Sequence, residues 1–177
     1  MTTPPPILET PRLILRRLAG YDAPALHAML SDPETMRYWS SLPHVELAET
    51  EAWVAESVAE SAAATTRGDA HDFAVLCEGK LVGRVAFWMG NEIGFLFHRD
   101  VWGQGIAREA VQALLRHGFE TLHFEMVRAD VDPENLRSLV LLERLGFKRT
   151  SYAERTFKIG ERWTDSVYLE LRAADLK

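Results

Sequence analysis

The chain has 177 residues, of which 47% are hydrophobic and 26% are charged, a composition typical of one globular domain with a substantial core. Twenty basic and 26 acidic residues give a net charge of −6 without any run of lysine and arginine, which argues against nucleic acid as the partner. There is no apolar run of about 18 residues, so we expect no membrane-spanning helix. The lone cysteine, Cys77, excludes an intrachain disulfide and permits a cytoplasmic location; its apolar surroundings predict an inert core residue.

Hydrophobic periodicity predicts the elements in chain order. Residues 1–11 carry four of the eight prolines and lack a signal-peptide pattern, so we expect a loose N-terminal arm ahead of one domain that spans the rest of 1–177. Strand-like alternation or apolar runs predict seven strands, at 12–18, 73–77, 81–89, 92–97, 126–131, 147–156 and 163–171. Helical periodicity predicts four helices, at 22–30, 46–66, 106–122 and from Pro133 or Glu134 to Gly146.

This order predicts an α+β (α/β) fold. Short turn sequences join the strands 73–77, 81–89 and 92–97 into an antiparallel meander. The strands 92–97 and 126–131 have a helix between them, which is the connection that parallel neighbours need. We therefore expect a mixed, mostly antiparallel sheet of about seven strands flanked by about four helices.

A pair of glycines lies where a strand gives way to a helix. Gly103 and Gly105 are one residue apart, and the helical pattern starts at Ile106. The first turn of a helix has unpaired N–H groups and positive potential, and glycine lets an anion approach the backbone. The run predicts a diphosphate site. A dinucleotide fingerprint would need a further glycine where Arg108 stands, and a P-loop would need Gly-Lys-Ser or Gly-Lys-Thr, which is absent.

The run Trp102-Gly-Gln-Gly-Ile-Ala-Arg-Glu-Ala110 resembles the acyl-CoA signature of the GNAT N-acetyltransferase superfamily. That signature is Gln/Arg-x-x-Gly-x-Gly/Ala; both glycines match, whereas position 100 is Asp. Within the superfamily, the chain is similar to the branch that acetylates the N-terminal serine or alanine of ribosomal proteins. Three further blocks carry the resemblance, namely residues 132–147 with Asn135, Ser138 and a final Leu-Gly-Phe, residues 9–13, and residues 163–165.

The resemblance implies a twisted sheet that splays open after the fourth strand, with acetyl-CoA as co-substrate and no metal. The pantetheine arm would pair with the backbone of that strand near Phe95, Leu96 and Phe97. Asn135 and Ser138 would face the arm from the last helix. The diphosphate would lie on the turn and the helix start, at Trp102, Gly103, Gln104, Gly105, Ile106, Ala107 and Arg108.

The resemblance also implies direct transfer of the acetyl group to an amine, with few demands on side-chain chemistry. Glu92, at the start of the splayed strand, is the candidate base. Many family members carry a tyrosine as thiolate acid seven residues after the asparagine, where this chain has Leu142; Ser138 is the candidate substitute. Tyr38, Trp39 and His44 would wall the acceptor site, and Asp165 would bind the acceptor amine or stabilise a turn.

The sequence leaves the acceptor open. A protein N-terminus and a small amine, such as an antibiotic, a polyamine or an amino acid, both remain. A module that binds acyl-CoA without turnover is a second hypothesis, because the tyrosine is missing. A monomer and a homodimer are both compatible with the sequence.

Overall fold

A mixed sheet forms the centre of the molecule. The computed structural model describes residues 6–66, 72–88 and 90–177. In this part of the chain an eight-stranded sheet has the order β1-β2-β3-β4-β5-β6-β8-β7. The strands are β1 Leu8–Glu9, β2 Leu13–Arg17, β3 Asp72–Cys77, β4 Lys80–Trp88, β5 Glu92–Phe97, β6 Met126–Val131, β7 Lys148–Ile159 and β8 Arg162–Arg172. The helices of the same residues are α1 Ala23–Leu30, α2 Leu47–Thr66, α3 Ile106–Glu120 and α4 Leu136–Leu145.

Two hydrophobic cores lie on opposite faces of this sheet. One core packs α3 and α4 against side chains such as Phe97, Val127 and Leu169. The other packs α1 and α2 against Ala74 and Leu96. Because side chains alternate along a strand, the strand residues between those of the first core face the side of the sheet that carries α1 and α2.

The sheet opens between β5 and β6, as expected. These two strands are parallel, and among the described residues their ladder has one register pair, Glu92 with Arg128. The Arg128 amide donates to Asn91 O at 2.9 Å, and Asn91 Nδ2 donates to Met126 O at 2.7 Å. By contrast, β6 continues in register with β8 over six residue pairs. β5 and β6 therefore meet at their N-terminal ends. The splay that was expected after the fourth predicted strand is confirmed.

Two helices begin with caps that differ from the expectation. Asp22 precedes α1, but its carboxylate accepts from Arg16 and from the Ala19 amide instead of capping the helix. The last helix begins at Leu136, so the expected start at Pro133 or Glu134 was wrong. The cause is a turn in which the Asp132 carboxylate accepts from the Glu134 amide at 2.8 Å and the Asp132 carbonyl accepts from the Asn135 amide.

The N-terminal segment also differs from the expected loose arm. Leu8 and Glu9 pair with Leu15 and Ile14, which makes an eighth, very short strand. Cys77 is half-buried at the end of β3, so full burial was not correct. The expected helix end at 67–69 and the strand end at Met89 lie outside the described residues.

Within the described residues, no helix is both long and apolar enough to cross a bilayer.

Candidate functional site

The glycine turn between β5 and α3 has the backbone geometry that its sequence requires. Gly103 and Gly105 have φ angles of 75° and 78°, in the left-handed region that side chains disfavour. A Cβ added to Gly103 would meet no atom within 4 Å, so the turn is open on that side. Gly105 is the residue immediately before α3. The turn thus presents bare backbone at the helix start.

The start of α3 offers amide hydrogens to a ligand. Glu109 N is the first to donate within the helix, to Gly105 O at 3.1 Å. The amides of Ile106, Ala107 and Arg108 therefore have no helical acceptor and point out of the helix end. Arg108 is exposed, and no described residue forms an ion pair with it. These groups fit an anionic ligand.

An ion pair lies behind the same turn. Arg12 Nε donates to Glu109 Oε2 at 2.6 Å, and Arg12 Nη1 donates to Gln104 O at 3.0 Å. Glu109 Oε1 accepts from the Thr10 hydroxyl at 2.6 Å and from the Arg12 amide at 3.0 Å. Partial burial raises the pKa of Glu109, but these hydrogen bonds and the charge of Arg12 outweigh it and lower the pKa below its ordinary value. Glu109 is therefore ionised at neutral pH.

Trp102 joins the turn to β5 and to α4. Its indole Nε1 donates to Phe97 O at 2.9 Å, and the guanidinium of Arg137 lies 4.6 Å from its ring centroid. Gln104 donates its side-chain amide to Asp100 O at 2.5 Å. The side chains of Trp102 and Gln104 thus stabilise the turn. Of these two residues, the backbone groups are what is left for the predicted binding of the cofactor.

The backbone of β5 presents free groups to the splay. His98 N donates to Val82 O at 2.9 Å, and the register pairs Phe97 with Gly83 and Phe95 with Val85. In an antiparallel ladder hydrogen-bonded and non-bonded pairs alternate, so the N–H and C=O groups of Phe95 and Phe97 point away from β4. The Leu96 groups point towards β4, and its side chain is buried beneath α1 and α2. Phe97 O accepts from Trp102 Nε1, so an added strand would find both backbone groups of Phe95 and the N–H of Phe97.

The N-terminal end of α4 carries the second predicted pair. Asn135 caps the helix, since its Oδ1 accepts from the Ser138 amide at 3.2 Å. No described residue hydrogen-bonds to the Ser138 hydroxyl, which is half-buried. Leu142 is fully buried in the core. The structure therefore leaves the Ser138 hydroxyl available, whereas position 142 is enclosed in the core.

Glu92 lies where the splay begins, on the face that carries α1 and α2. Its Oε1 accepts from Trp88 Nε1 at 2.9 Å. Asp130 shares that face on β6. Burial raises the pKa of Asp130, the hydrogen bond from Ser166 opposes this rise, and the nearby charge of Glu92 adds to it. Two carboxyl groups thus influence each other across the opening between the strands.

A shallow cleft of about 190 Å³ continues from Glu92 over the neighbouring strands. Its polar lining includes Arg128, Tyr168 and Glu170, and Arg128 Nε lies 3.7 Å from the Glu170 carboxylate. With Glu92, the lining has two carboxylates against one guanidinium. The cleft is suited to a cationic ligand.

The connection between α1 and α2 carries the other predicted acceptor residues, and the structure gives one of them an internal role. His44 Nδ1 lies 2.8 Å from the Thr50 hydroxyl, which also lies 2.8 Å from His27 Nδ1. Tyr38 and Trp39 are half-buried, and Trp39 packs against the core beneath α1 and α2. Only part of each ring is therefore left for a ligand.

Asp165 lies in an irregularity of the β7–β8 ladder. Its carboxylate accepts from the Tyr152 hydroxyl and, at 2.9 Å, from the Arg155 amide, where Arg155 has a φ of 53°. The hydrogen bond to Asp165 raises the pKa of Tyr152 to about 12. Both carboxylate oxygens are occupied, which favours the turn role over amine binding.

Through Trp102 the structure joins the glycine turn to the end of β5 and to Arg137 in the first turn of α4, and Glu92 lies at the other end of β5. Asp165 and His44 are engaged elsewhere. Three charged residues of this region, Arg12, Asp130 and Arg137, were not singled out from the sequence. Asp130 has a sequence signal, because it alternates with the apolar residues of β6. Arg12 and Arg137 reach the site through contacts between distant segments. Among the described residues there is no group of His, Cys, Asp or Glu side chains that would hold a metal ion.

Comparisons with known proteins agree with this geometry. The family description "Acetyltransferase (GNAT) domain" matches residues 12–148. An uncharacterized N-acetyltransferase, p20, of Bacillus licheniformis is 31% identical over 150 residues, which is 80% of this chain and 82% of the relative. A crystal structure of a GNAT-family acetyltransferase from Bacillus anthracis superposes with a TM-score of 0.81 at 26% identity, covering 94% of this chain and 98% of the other.

Two other relatives are named by their acceptors. The alanine N-acetyltransferase of ribosomal protein uS5 from Escherichia coli is 35% identical over 91 residues, 51% of this chain and 44% of the relative. The spermidine N(1)-acetyltransferase of the same species is 22% identical over 159 residues, 86% of this chain and 82% of the relative. The matched domain, the sheet order and the splay lead to one assignment: the chain belongs to the GNAT acetyltransferase family and is an acetyl-CoA-dependent N-acetyltransferase.

Proposed function

We propose that this enzyme transfers the acetyl group by direct attack of a primary amine within a ternary complex, and that the acceptor is the α-amine of a protein N-terminus. The observation that carries the proposal is the position of Glu92. It lies at the closed end of the splay, with the free edge of β5 on one side and the carboxylate-lined cleft on the other. A thioester and an amine brought to this point from opposite sides would meet beside a carboxylate.

The residues around the splay fit acetyl-CoA. The N–H and C=O groups of Phe95 and the N–H of Phe97 suit the amides of a pantetheine arm, while the Phe97 carbonyl already accepts from Trp102 Nε1. The open glycine turn, the amides of 106–108 and the exposed Arg108 suit a diphosphate. When bound, acetyl-CoA supplies an acetyl group that is already activated as a thioester. The protein then needs to position the thioester and the amine, to exclude water and to move protons.

Glu92 is the proposed base. It would take a proton from the acceptor ammonium, directly or through one water molecule. The hydrogen bond from Trp88 holds Oε1, which leaves Oε2 for that proton. An α-ammonium has a pKa of about 8 and a lysine ammonium one of about 10.4, so the amine of a protein N-terminus needs the weaker base.

Ser138 is the proposed donor to the departing thiolate. Its hydroxyl is available at the N-terminal turn of α4, where the helix dipole favours negative charge. We expect Ser138→Ala to lower kcat more than it raises the KM for acetyl-CoA, because the hydrogen bond matters most as charge develops on sulfur. Steady-state kinetics measures both constants. Unchanged turnover in that variant would remove Ser138 from the mechanism.

A small polyamine is the second candidate acceptor. The cleft beside Glu92 carries a surplus of carboxylate, and one relative of similar length acetylates spermidine. The relative named for a protein N-terminus matches 51% of this chain at the higher identity of 35%. Because an α-amine needs the weaker base, we retain the protein N-terminus as the principal proposal.

We also propose a cytoplasmic location, because the free thiol of Cys77 is compatible with a reducing compartment. Fractionation of the producing cells would test this location.

One experiment tests both acceptors. The protein is incubated with acetyl-CoA and, separately, with peptides that begin with serine, alanine or threonine and with spermidine, and the released thiol is followed. We expect thiol release with a peptide and an acetyl group on its α-amine by mass spectrometry. The same peptide with a blocked α-amine and a free lysine is the control. Release with spermidine alone would replace the principal proposal by the second candidate.

A further inference from the structure

A negative charge lies close to the proposed diphosphate seat, which consists of the glycine turn at 103–105 and the amides of 106–108. Glu109 belongs to the first turn of α3, beside the amides of Ile106 to Arg108. Its side chain is 17% exposed, so water screens the charge less than at an open surface. An isolated carboxylate there would stabilise the helix dipole but would repel phosphate.

Arg12 compensates this charge. Arg12 Nε lies 2.6 Å from Glu109 Oε2, and the Arg12 amide binds the other carboxylate oxygen at 3.0 Å. Thr10 adds a third donor at 2.6 Å. The three donors come from the segment just before β2. This segment therefore neutralises the charge of Glu109, which lies 97 residues after Arg12 in the chain.

The same guanidinium sets the direction of one peptide plane. Arg12 Nη1 donates to Gln104 O at 3.0 Å. In a trans peptide the carbonyl and the following N–H point in opposite directions. With the Gln104 carbonyl held against Arg12, the Gly105 amide points to the other side of the turn, away from Arg12.

We propose that Arg12 is a positioning residue for coenzyme A, which it serves by cancelling the charge of Glu109 and by turning the Gly105 amide towards the diphosphate. This inference rests on the proposed diphosphate seat at the start of α3. Arg12 would act through Glu109 and Gln104, with which it forms its hydrogen bonds.

The test is a double-mutant cycle read by ligand affinity. The dissociation constants of coenzyme A and of pantetheine, which lacks the diphosphate, are measured by calorimetry. The variants are Arg12→Gln, Glu109→Gln and the double variant. We expect Arg12→Gln to weaken coenzyme A by about tenfold, the effect of one exposed carboxylate near a phosphate, and to leave pantetheine unchanged. Glu109→Gln should bind coenzyme A at least as tightly as the parent.

The double variant decides the question, because it restores the charge balance without restoring the contacts. We expect it to recover most of the lost affinity for coenzyme A. A double variant as weak as Arg12→Gln would overturn the cancelling of the Glu109 charge and leave the contact with Gln104 as the whole effect, whereas an equal loss for pantetheine would overturn the inference entirely. If Arg12→Gln does not fold, weaker binding by Glu109→Gln alone would also overturn it.

Two controls complete the design: an ion pair far from the diphosphate seat and a variant of the seat itself. Arg149 and Glu143 form an exposed pair at 2.7 Å near the C-terminal end of α4, and the same substitutions there should not change the affinity for coenzyme A. Gly103→Glu tests the seat itself, because a Cβ there meets no atom within 4 Å, whereas a Cβ at Gly105 would lie 3.4 Å from Arg12 Nη2. Unchanged affinity in Gly103→Glu would refute the proposed diphosphate seat, whereas a loss there without coupling between Arg12 and Glu109 would refute the inference alone.

Discussion

Single residues decide how much of the proposed chemistry this chain can perform. Glu92 and Ser138 were predicted from the sequence, and their roles stay predictions; the structure places Glu92 at the start of β5 and leaves the Ser138 hydroxyl without a hydrogen-bond partner among the described residues. Asp165 shows the limit of sequence reasoning. Its partners, Tyr152 and the Arg155 amide, are brought to it by a ladder irregularity that no local pattern indicates. A carboxylate in a motif can bind a ligand or a turn, and only the fold distinguishes the two.

The role of Glu92 can be tested by its pH dependence. Glu92→Gln keeps the size of the side chain and its contact with Trp88 but cannot accept a proton. We expect kcat/KM for the amine to fall by about 100-fold, and the loss to shrink as the pH rises, because the free amine then forms without a base. The pH profile of kcat/KM measures this. A parallel profile at all pH values would leave the base unassigned.

At the scale of the elements, the strand and helix types followed from periodicity, while their ends depended on hydrogen bonds. The strands 92–97 and 126–131 were predicted with their observed bounds. The start of α4 was not, because the Asp132 turn takes the residues that the pattern assigned to the helix. The short β1 has too few residues to show alternation, and its partner strand holds it in place.

The glycine turn can be tested with a matched pair of positions. Gly103 and Gly79 both have a φ angle of 75°, both are exposed, and a Cβ would meet no atom within 4 Å at either, but Gly79 lies in the β3–β4 turn. A side chain costs a similar strain of about 1–2 kcal/mol at each position. We expect Gly103→Glu to abolish binding of coenzyme A and Gly79→Glu to preserve it in calorimetry. Equal binding by the two variants would contradict the seat.

Two strand glycines make a second matched pair. A Cβ at Gly83 would lie 2.3 Å from Phe97 Cδ1 and 2.8 Å from Leu96 O, whereas a Cβ at Gly94 would meet nothing within 4 Å. Gly83→Ala should therefore lower the free energy of unfolding by about 1–3 kcal/mol, since the Phe97 ring must leave its site. Gly94→Ala should be nearly neutral. Urea denaturation gives both values, and a neutral Gly83→Ala would show that the ring can move freely.

At the scale of the whole molecule, the order of elements predicted the class and the crossover, and the family resemblance predicted the splay. Neither predicted which distant segments meet. The contact of Arg12 with Glu109, and that of Arg137 with Trp102, depend on how α3 and α4 pack on the sheet. Long-range contacts between exposed charged residues leave no periodic trace in a sequence.

The stability of the whole fold should depend on pH through His117. This histidine is buried on α3 at an edge-to-face contact with Phe73, 5.7 Å between ring centroids, and burial lowers its pKa. The unfolded chain then binds the proton more readily than the folded one, so stability falls as the pH drops below about 6.5. The slope is at most about 1.4 kcal/mol per pH unit.

Urea unfolding at pH 7.5 and pH 5.5 measures this effect, with His117→Gln as the control. The variant retains a polar side chain but has no titrating group, so its free energy of unfolding should change less between the two pH values. An equal change in both proteins would assign the acid sensitivity to other groups.

The meeting of β5 and β6 at one register pair has a mechanical consequence. Among the described residues, the two parts of the sheet, β1–β5 and β6–β8, share few backbone hydrogen bonds. A ligand that hydrogen-bonds along the open edge of β5 would bridge the two parts. Amide hydrogens on β6 should then exchange with deuterium more slowly when coenzyme A is present.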